Sequence, residues 1–173
     1  GDQIADALIE GIRGMGLECL PWSKEATEWR RRVLCFHQET ANGPDLSDSN
    51  LLETLDEWLL PYLAGMSRVQ HLKSLDMLAI LKSRLDWSAL QTMEEQVPSH
   101  FTVPSGSSIQ IDYTDSNAPV LPVKLQEMFG ETETPSILNG AIALTIHLLS
   151  PAGRPLQITQ DLQAFWSNSY PQV

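Results

Sequence analysis

The sequence holds no run of about 18 uncharged apolar residues, the length a helix needs to cross a bilayer, so no membrane span is expected. No hydrophobic stretch follows the polar start Gly1-Asp2-Gln3, which argues against a secretory leader and makes the cytoplasm the expected compartment. Cysteine is scarce. Cys19 and Cys35 lack CxxC spacing and both lie in helical pattern, so reduced thiols are expected rather than a disulfide. The four histidines, His37, His71, His100 and His147, form no i,i+4 pair and no Cys/His cluster, the grouping a zinc site needs. Basic residues are few: 11 Lys and Arg face 22 Asp and Glu, for a formal charge of −11. So acidic a chain repels the phosphate backbone that dominates nucleic-acid affinity. Low-complexity tracts are also missing. What remains, 42% hydrophobic over 173 residues, suffices for the core of one soluble domain or two small ones.

The first part of the chain has helical periodicity. Ile4, Leu8, Ile12 and Met15 recur on one face, and Gly14 and Gly16 supply a stop. Ser23 is placed to cap a second helix, with Trp22 before it able to staple onto the first turn. Ala26, Trp29, Val33 and Phe36 form that helix's apolar stripe, and Ala41-Asn42-Gly43-Pro44 is a turn. The segment "SDSNLLETLDEWLLPYLAGM" carries the strongest helical signal. Leu51, Leu52, Leu55, Trp58, Leu59 and Tyr62 fall on one side, and Pro61 should kink or end the helix. Leu72, Leu75, Leu78, Leu81 and Leu85 predict one further helix or two short ones. Asp86 caps a last helix in which Leu90, Met93 and Val97 point inward, and Pro98 ends it.

Beyond Pro98 the period changes to two. "FTV", "IQIDY" and "AIALTIHLL" alternate as strands do, with Ile142, Leu144, Ile146 and Leu148 facing one way. Asn139-Gly140 favours a type I′ hairpin turn. "LQEMF" and "LQAFW" close two stretches that run parallel, each strand-like and then helical, with Thr159 as cap of the second helix and Asp161 in its first turn. The fold expected is therefore α+β. A bundle-like helical subdomain over 1–97 shares a core with a small β-rich subdomain over 98–173, which holds two hairpins and two strand–helix units.

The small-residue loop inside "HFTVPSGSSIQIDY" poses the chemical question. A phosphate-binding loop needs GxxxxGK[ST] between a strand and a helix, because helix N-terminal amides hold the phosphates. Here Gly106 is followed by an alternating strand and no lysine, so the loop is read as a hairpin end. A nucleophile elbow fails for the same reason. Asp112, Asp115, Glu127, Glu131 and Glu133 show no spacing that singles out a catalytic pair, and are read as solvated loop charges. The five tryptophans, at positions 22, 29, 58, 87 and 166, sit at apolar helix positions and read as core. One basic run, Arg30-Arg31-Arg32, remains as a candidate phosphate or partner contact. Its plainer reading is a solvated helix face pairing with Glu25 and Glu28; if Trp29, Val33 and Phe36 are buried, at least two arginines should reach solvent or a neighbouring surface. No catalytic, cofactor-binding or metal residue emerges.

Three motifs, "HFTVPSGSSIQIDY", "PVKLQEMFGE" and "LLSPAGRPLQITQDLQAFW", resemble in order the C-terminal region of HrpB-type bacterial ATP-dependent helicases of the DExH-box class. "GLECLPWSKEATEWRRRV" and "LLETLDEWLLPYLAGM" extend the resemblance to the helical half. It implies ATPase motifs, with ATP and Mg, in two RecA-like domains upstream, followed by winged-helix, helical-bundle and OB-like modules. It also implies a Lys/Arg-rich tail beyond "SYPQV", so this chain is expected to be a piece of a longer protein. No position here matches a family catalytic residue.

The function so implied is a non-catalytic accessory domain. Its partners would be the upstream helicase domains and, through the parent protein, RNA. The alternatives are a single-stranded nucleic-acid-binding module and, last, a small-molecule hydrolase.

Overall fold

The computed structural model describes residues 2–172. The fold is α+β, in two compact units, Gly1–Gln91 and Thr92–Val173.

The first unit is helical. Helix α1 (Asp2–Met15) buries Leu8, Ile9 and Ile12, whereas Ile4 and Met15, at its ends, are exposed. Helix α2 (Lys24–Thr40) starts at Ser23, whose hydroxyl accepts from the Ala26 N–H at 3.0 Å. Its stripe of Ala26, Trp29, Val33 and Phe36 is buried as the spacing predicts. Trp22 does more than staple: its indole donates to the Leu17 carbonyl at 2.8 Å.

The long helix expected after Ser47 is broken. Helix α3 (Asp48–Glu53) stops at Thr54, α4 (Leu55–Trp58) follows, and a 3-10 turn (Leu60–Tyr62) carries Pro61. The break falls at Thr54, whose φ of −109° leaves the helical basin and whose hydroxyl donates to the Asn50 carbonyl at 2.6 Å. Leu51, Leu55, Trp58 and Leu59 are buried, but Tyr62, beyond the break, is exposed. The following leucines divide into a 3-10 segment (Val69–Ser74) and α5 (Met77–Lys82), the second of the two expected outcomes. Asp86 accepts from the Ala89 N–H at 2.8 Å and begins α6 (Trp87–Gln96). Trp87, the first residue of that helix, is 73% exposed and not core.

The second unit takes in the end of α6 from Thr92 and then an antiparallel hairpin, β1 (His100–Thr102) and β2 (Ser108–Gln110). Gly106, at φ 96°, makes its turn. The main sheet has the order β3-β6-β7, from Val120–Lys124, Thr145–Leu149 and Pro155–Thr159. β3 and β6 are parallel, so the chain needs a long crossover, which residues 125–144 provide. Pro122 and Pro155 both lie in outer strands, where a missing N–H is tolerated and further pairing is discouraged. Leu121, Val123, Ile146 and Leu148 form the buried face, with Met128, Leu162 and Phe165.

The Asn139-Gly140 pair lies in a hairpin between β4 (Ser136–Ile137) and β5 (Ile142–Ala143), but the loop has four residues and is not a two-residue type I′ turn. Leu138, Asn139 and Gly140 all take positive φ. Burial of Leu138 holds it in a conformation that costs a bulky residue roughly 1–2 kcal/mol. The cap of α7 (Leu162–Ala164) is Asp161, which accepts from the Ala164 N–H at 3.0 Å; Thr159 instead bonds the backbone of Asp161. Trp166 is half-buried. Its indole donates to the Glu131 carbonyl at 2.7 Å, and its ring meets Phe129, Phe165 and Tyr170.

Candidate functional site

The Arg30-Arg31-Arg32 run does not form an open cationic patch. Arg30 folds back on its own unit: Nε donates to the Leu46 carbonyl at 2.9 Å, Nη2 reaches Asp48 Oδ1 at 2.6 Å, and the guanidinium lies 5.2 Å from the centre of the Trp22 ring. Arg32 is buried, at 7% exposure. Arg31 is half-buried and makes no hydrogen bond or ion pair to the described residues. Of the three, Arg31 is partly open to solvent and Arg30 lies against the neighbouring Leu46–Asp48 segment, whereas Arg32 alone is buried. A triplet of neighbours at about 100° each cannot share one face, and here two of the three directions lead into the unit. Of the expected pairing on this helix, Lys24 lies 3.9 Å from Glu28.

The loop of "PSGSS" is filled by a carboxylate. Ser107 Oγ donates to Glu127 Oε1 at 2.6 Å, Ser105 Oγ approaches the same oxygen at 3.4 Å, and the Ser105 N–H donates to the Glu127 carbonyl at 3.2 Å. Glu127 is thus a strap across the hairpin and not a solvated loop charge. Asp112 and Asp115 hold turns, accepting from Thr114 and Asn117. Glu133 is exposed.

Among the described residues, no three His, Cys, Asp or Glu side chains come together as metal ligands. No helix there is long and apolar enough to cross a membrane. Both cysteines are free. Cys35 is buried on α2, and burial, with Glu39 nearby, pushes its thiol up to about 11. Its thiolate fraction at neutral pH is then roughly a hundredfold below that of an ordinary thiol. Native protein should leave Cys35 unalkylated by iodoacetamide at pH 8 while denatured protein reacts at once, as peptide mass mapping would show. Fast native labelling of Cys35 would mean that α2 opens readily.

The exposed cations lie elsewhere. Arg68, Lys73, Lys82 and Arg84 are solvent-facing, and their side chains make no hydrogen bond or ion pair to the described residues. They are scattered in sequence, so no contiguous run marks them. The signal that could have found them is local balance: between Leu60 and Leu85 only Asp76 opposes them.

The family described as ATP-dependent helicase C-terminal, HrpB_C, matches residues 58–173. The ATP-dependent RNA helicase HrpB of Escherichia coli K12 is 44% identical over 99% of this chain and 22% of its own length. A crystal structure of the E. coli DExH-box NTPase HrpB superposes with a TM-score of 0.90 at 43% identity, over 99% of this chain and 21% of that one. A second, of the E. coli DEAH/RHA helicase HrpB, gives 0.84 at 42% identity, over 100% and 22%. The chain spans about a fifth of the length of these relatives. By sequence and by fold, the chain belongs to the HrpB family of ATP-dependent helicase C-terminal domains.

Proposed function

We propose that this chain is a non-catalytic accessory domain that docks on the motor domains of an HrpB-type helicase and shapes their nucleic-acid path. ATP and Mg would be held by the upstream motor domains, and RNA would be met by the whole protein, in the cytoplasm. The division into a helical subdomain up to residue 97 and a β-rich one from 98 would give the motor two distinct surfaces to use.

One observation carries the non-catalytic part of this reading. The loop best suited by composition to cradle a phosphate joins two strands, and the Glu127 carboxylate meets two of its serines, Ser105 and Ser107. A negative group therefore occupies the position where phosphate oxygens would accept. Nucleotide hydrolysis instead needs aligned backbone amides, a metal-holding acid and a cation on the phosphates.

Two measurements test the proposal. The purified chain should hydrolyse ATP no faster than a no-enzyme control. Added in trans to an HrpB-type helicase truncated before the matching segment, it should co-elute with that helicase and alter its RNA-stimulated ATPase rate. Turnover by the chain alone, in material free of contaminating ATPase, would overturn the first part. Separate elution with an unchanged rate would overturn the second.

A further inference from the structure

We infer that the segment from Tyr62 to Arg84 is a track for the backbone of a single-stranded nucleic acid. The inference deepens the accessory reading by naming a contact on the nucleic-acid path, but it stands on geometry within the first unit alone.

Charge is the first observation. The chain carries −11 overall, yet between Leu60 and Leu85 four lysines and arginines stand against Asp76 alone. Asp76 is committed to capping α5, accepting from the Ala79 N–H at 3.1 Å. Arg68, Lys73, Lys82 and Arg84 are exposed and unpaired within the described residues, in contrast to Arg30 and Arg32. Cations left unpaired in water can attract a polyanion locally, over about a Debye length, although the acidic remainder of the chain opposes it at longer range.

Placement is the second. Tyr62 Oη and Ser83 Oγ lie 3.2 Å apart, which brings the turn before the 3-10 segment against the end of α5, between Lys82 and Arg84. Two residues on, Ala64 and Gly65 border an open hollow of about 610 Å³ with Gln70, His71 and Lys73. Lys73 thus borders this hollow, and Lys82 and Arg84 stand at the far end of α5. That helix alone is about 9 Å long, at 1.5 Å per residue. Spread of this kind suits a linear chain of phosphates and not one small anion.

The third observation separates a nucleic acid from an acidic peptide. Tyr62 is 42% exposed, an aromatic ring whose hydroxyl meets Ser83, between Lys82 and Arg84 in sequence. Stacking of bases on such rings beside a basic groove is the common device of single-strand binding. His71 adds polar capacity in the hollow; its Nδ1 already accepts from the Ser67 N–H, which leaves Nε2 toward solvent or ligand.

The test is fluorescence anisotropy of a labelled twelve-nucleotide oligouridylate with the intact chain, between 20 and 150 mM KCl. Four contacts to a single strand give a slope of log affinity against log salt of about −3, at roughly 0.7 per phosphate. Measurable binding is expected at 20 mM, lost by two orders of magnitude or more at 150 mM. The Lys73→Glu/Lys82→Glu double variant should bind at least tenfold more weakly at 20 mM, with about half the slope. Tyr62→Ala should lose roughly tenfold with the slope unchanged, and Tyr62→Phe should bind like wild type. Lys124→Glu, an exposed cation of the other unit, should change nothing.

These substitutions are at the surface, so melting curves should match wild type and confirm folding. Absence of binding at 20 mM, or wild-type binding by the double variant, would overturn the proposal. So would equal affinity for an oligoglutamate peptide, which would make this a protein-docking surface. None of these readings depends on the motor domains, so failure of docking in trans leaves the result interpretable.

Discussion

Trp58→Ala is expected to cost about 3–5 kcal/mol of stability, a large part of what holds a small domain together. Trp58 is 2% exposed at the end of α4, among the largest enclosed side chains of the helical unit. Its indole N–H donates to the buried Leu51 carbonyl at 2.8 Å, tying α4 back to α3 across the break at Thr54. Truncation removes the ring, leaves a cavity and strips that carbonyl of its donor. Trp58→Phe restores most of the volume but not the bond, and should cost about 1–2 kcal/mol. Urea unfolding followed by circular dichroism would measure both. An alanine variant within 1 kcal/mol of wild type would mean that α3 and α4 repack freely. Trp87→Ala, at a position 73% exposed, is the natural comparison and should melt like wild type.

That comparison shows what a sequence can and cannot say about its own core. Trp58 and Trp87 look alike as letters, each among leucines in helical pattern. The stripe of α2 was legible because one helix with one buried face repeats its burial every three or four residues. Side-chain caps at Ser23 and Asp86 were legible because their chemistry is local. The break at Thr54 was not. A hydroxyl bonded to the carbonyl four residues back accompanies it, but Thr40 makes the same bond within α2, so the residue type does not announce a break. The hairpin at Asn139-Gly140 was half legible. The pair takes the positive φ that its composition favours, but burial of Leu138 pulls a third residue into that region and lengthens the loop.

The candidate site was less legible than the fold. A run of three arginines stands out in a string of letters, yet a helix distributes adjacent residues around its axis. Whether each then meets water or protein is decided by segments far away in sequence, here Leu46 and Asp48. The four exposed cations between residues 68 and 84 had the opposite fate. They are separated in sequence, on and beside a 3-10 segment and at the end of α5, where no contiguous run marks them. Glu127 shows the same effect in the second unit: it is one of several loop carboxylates until the chain returns it to the serines of the first hairpin.

Arg32→Glu should therefore act on stability and not on nucleic-acid affinity. The side chain is 7% exposed, in a site that accommodates a cation. A carboxylate placed there loses its hydration and whatever the guanidinium satisfied; breaking buried charge interactions of this kind costs about 3–5 kcal/mol. The helical unit should melt far below wild type or fail to fold. Arg31→Glu, one residue earlier and half-buried with no partner among the described residues, should stay within about 0.5 kcal/mol. The pair separates two accounts of the arginine run in one thermal-melt experiment. If the run were an open phosphate-binding face, both variants would fold normally and both would weaken binding of oligouridylate. With Arg30 and Arg32 engaged by the unit as they are, Arg32→Glu is lost to unfolding, and Arg31→Glu folds and binds as wild type does. Normal melting of Arg32→Glu, with a selective loss of RNA affinity, would return the site to α2 and remove the reason for seeking it on α5.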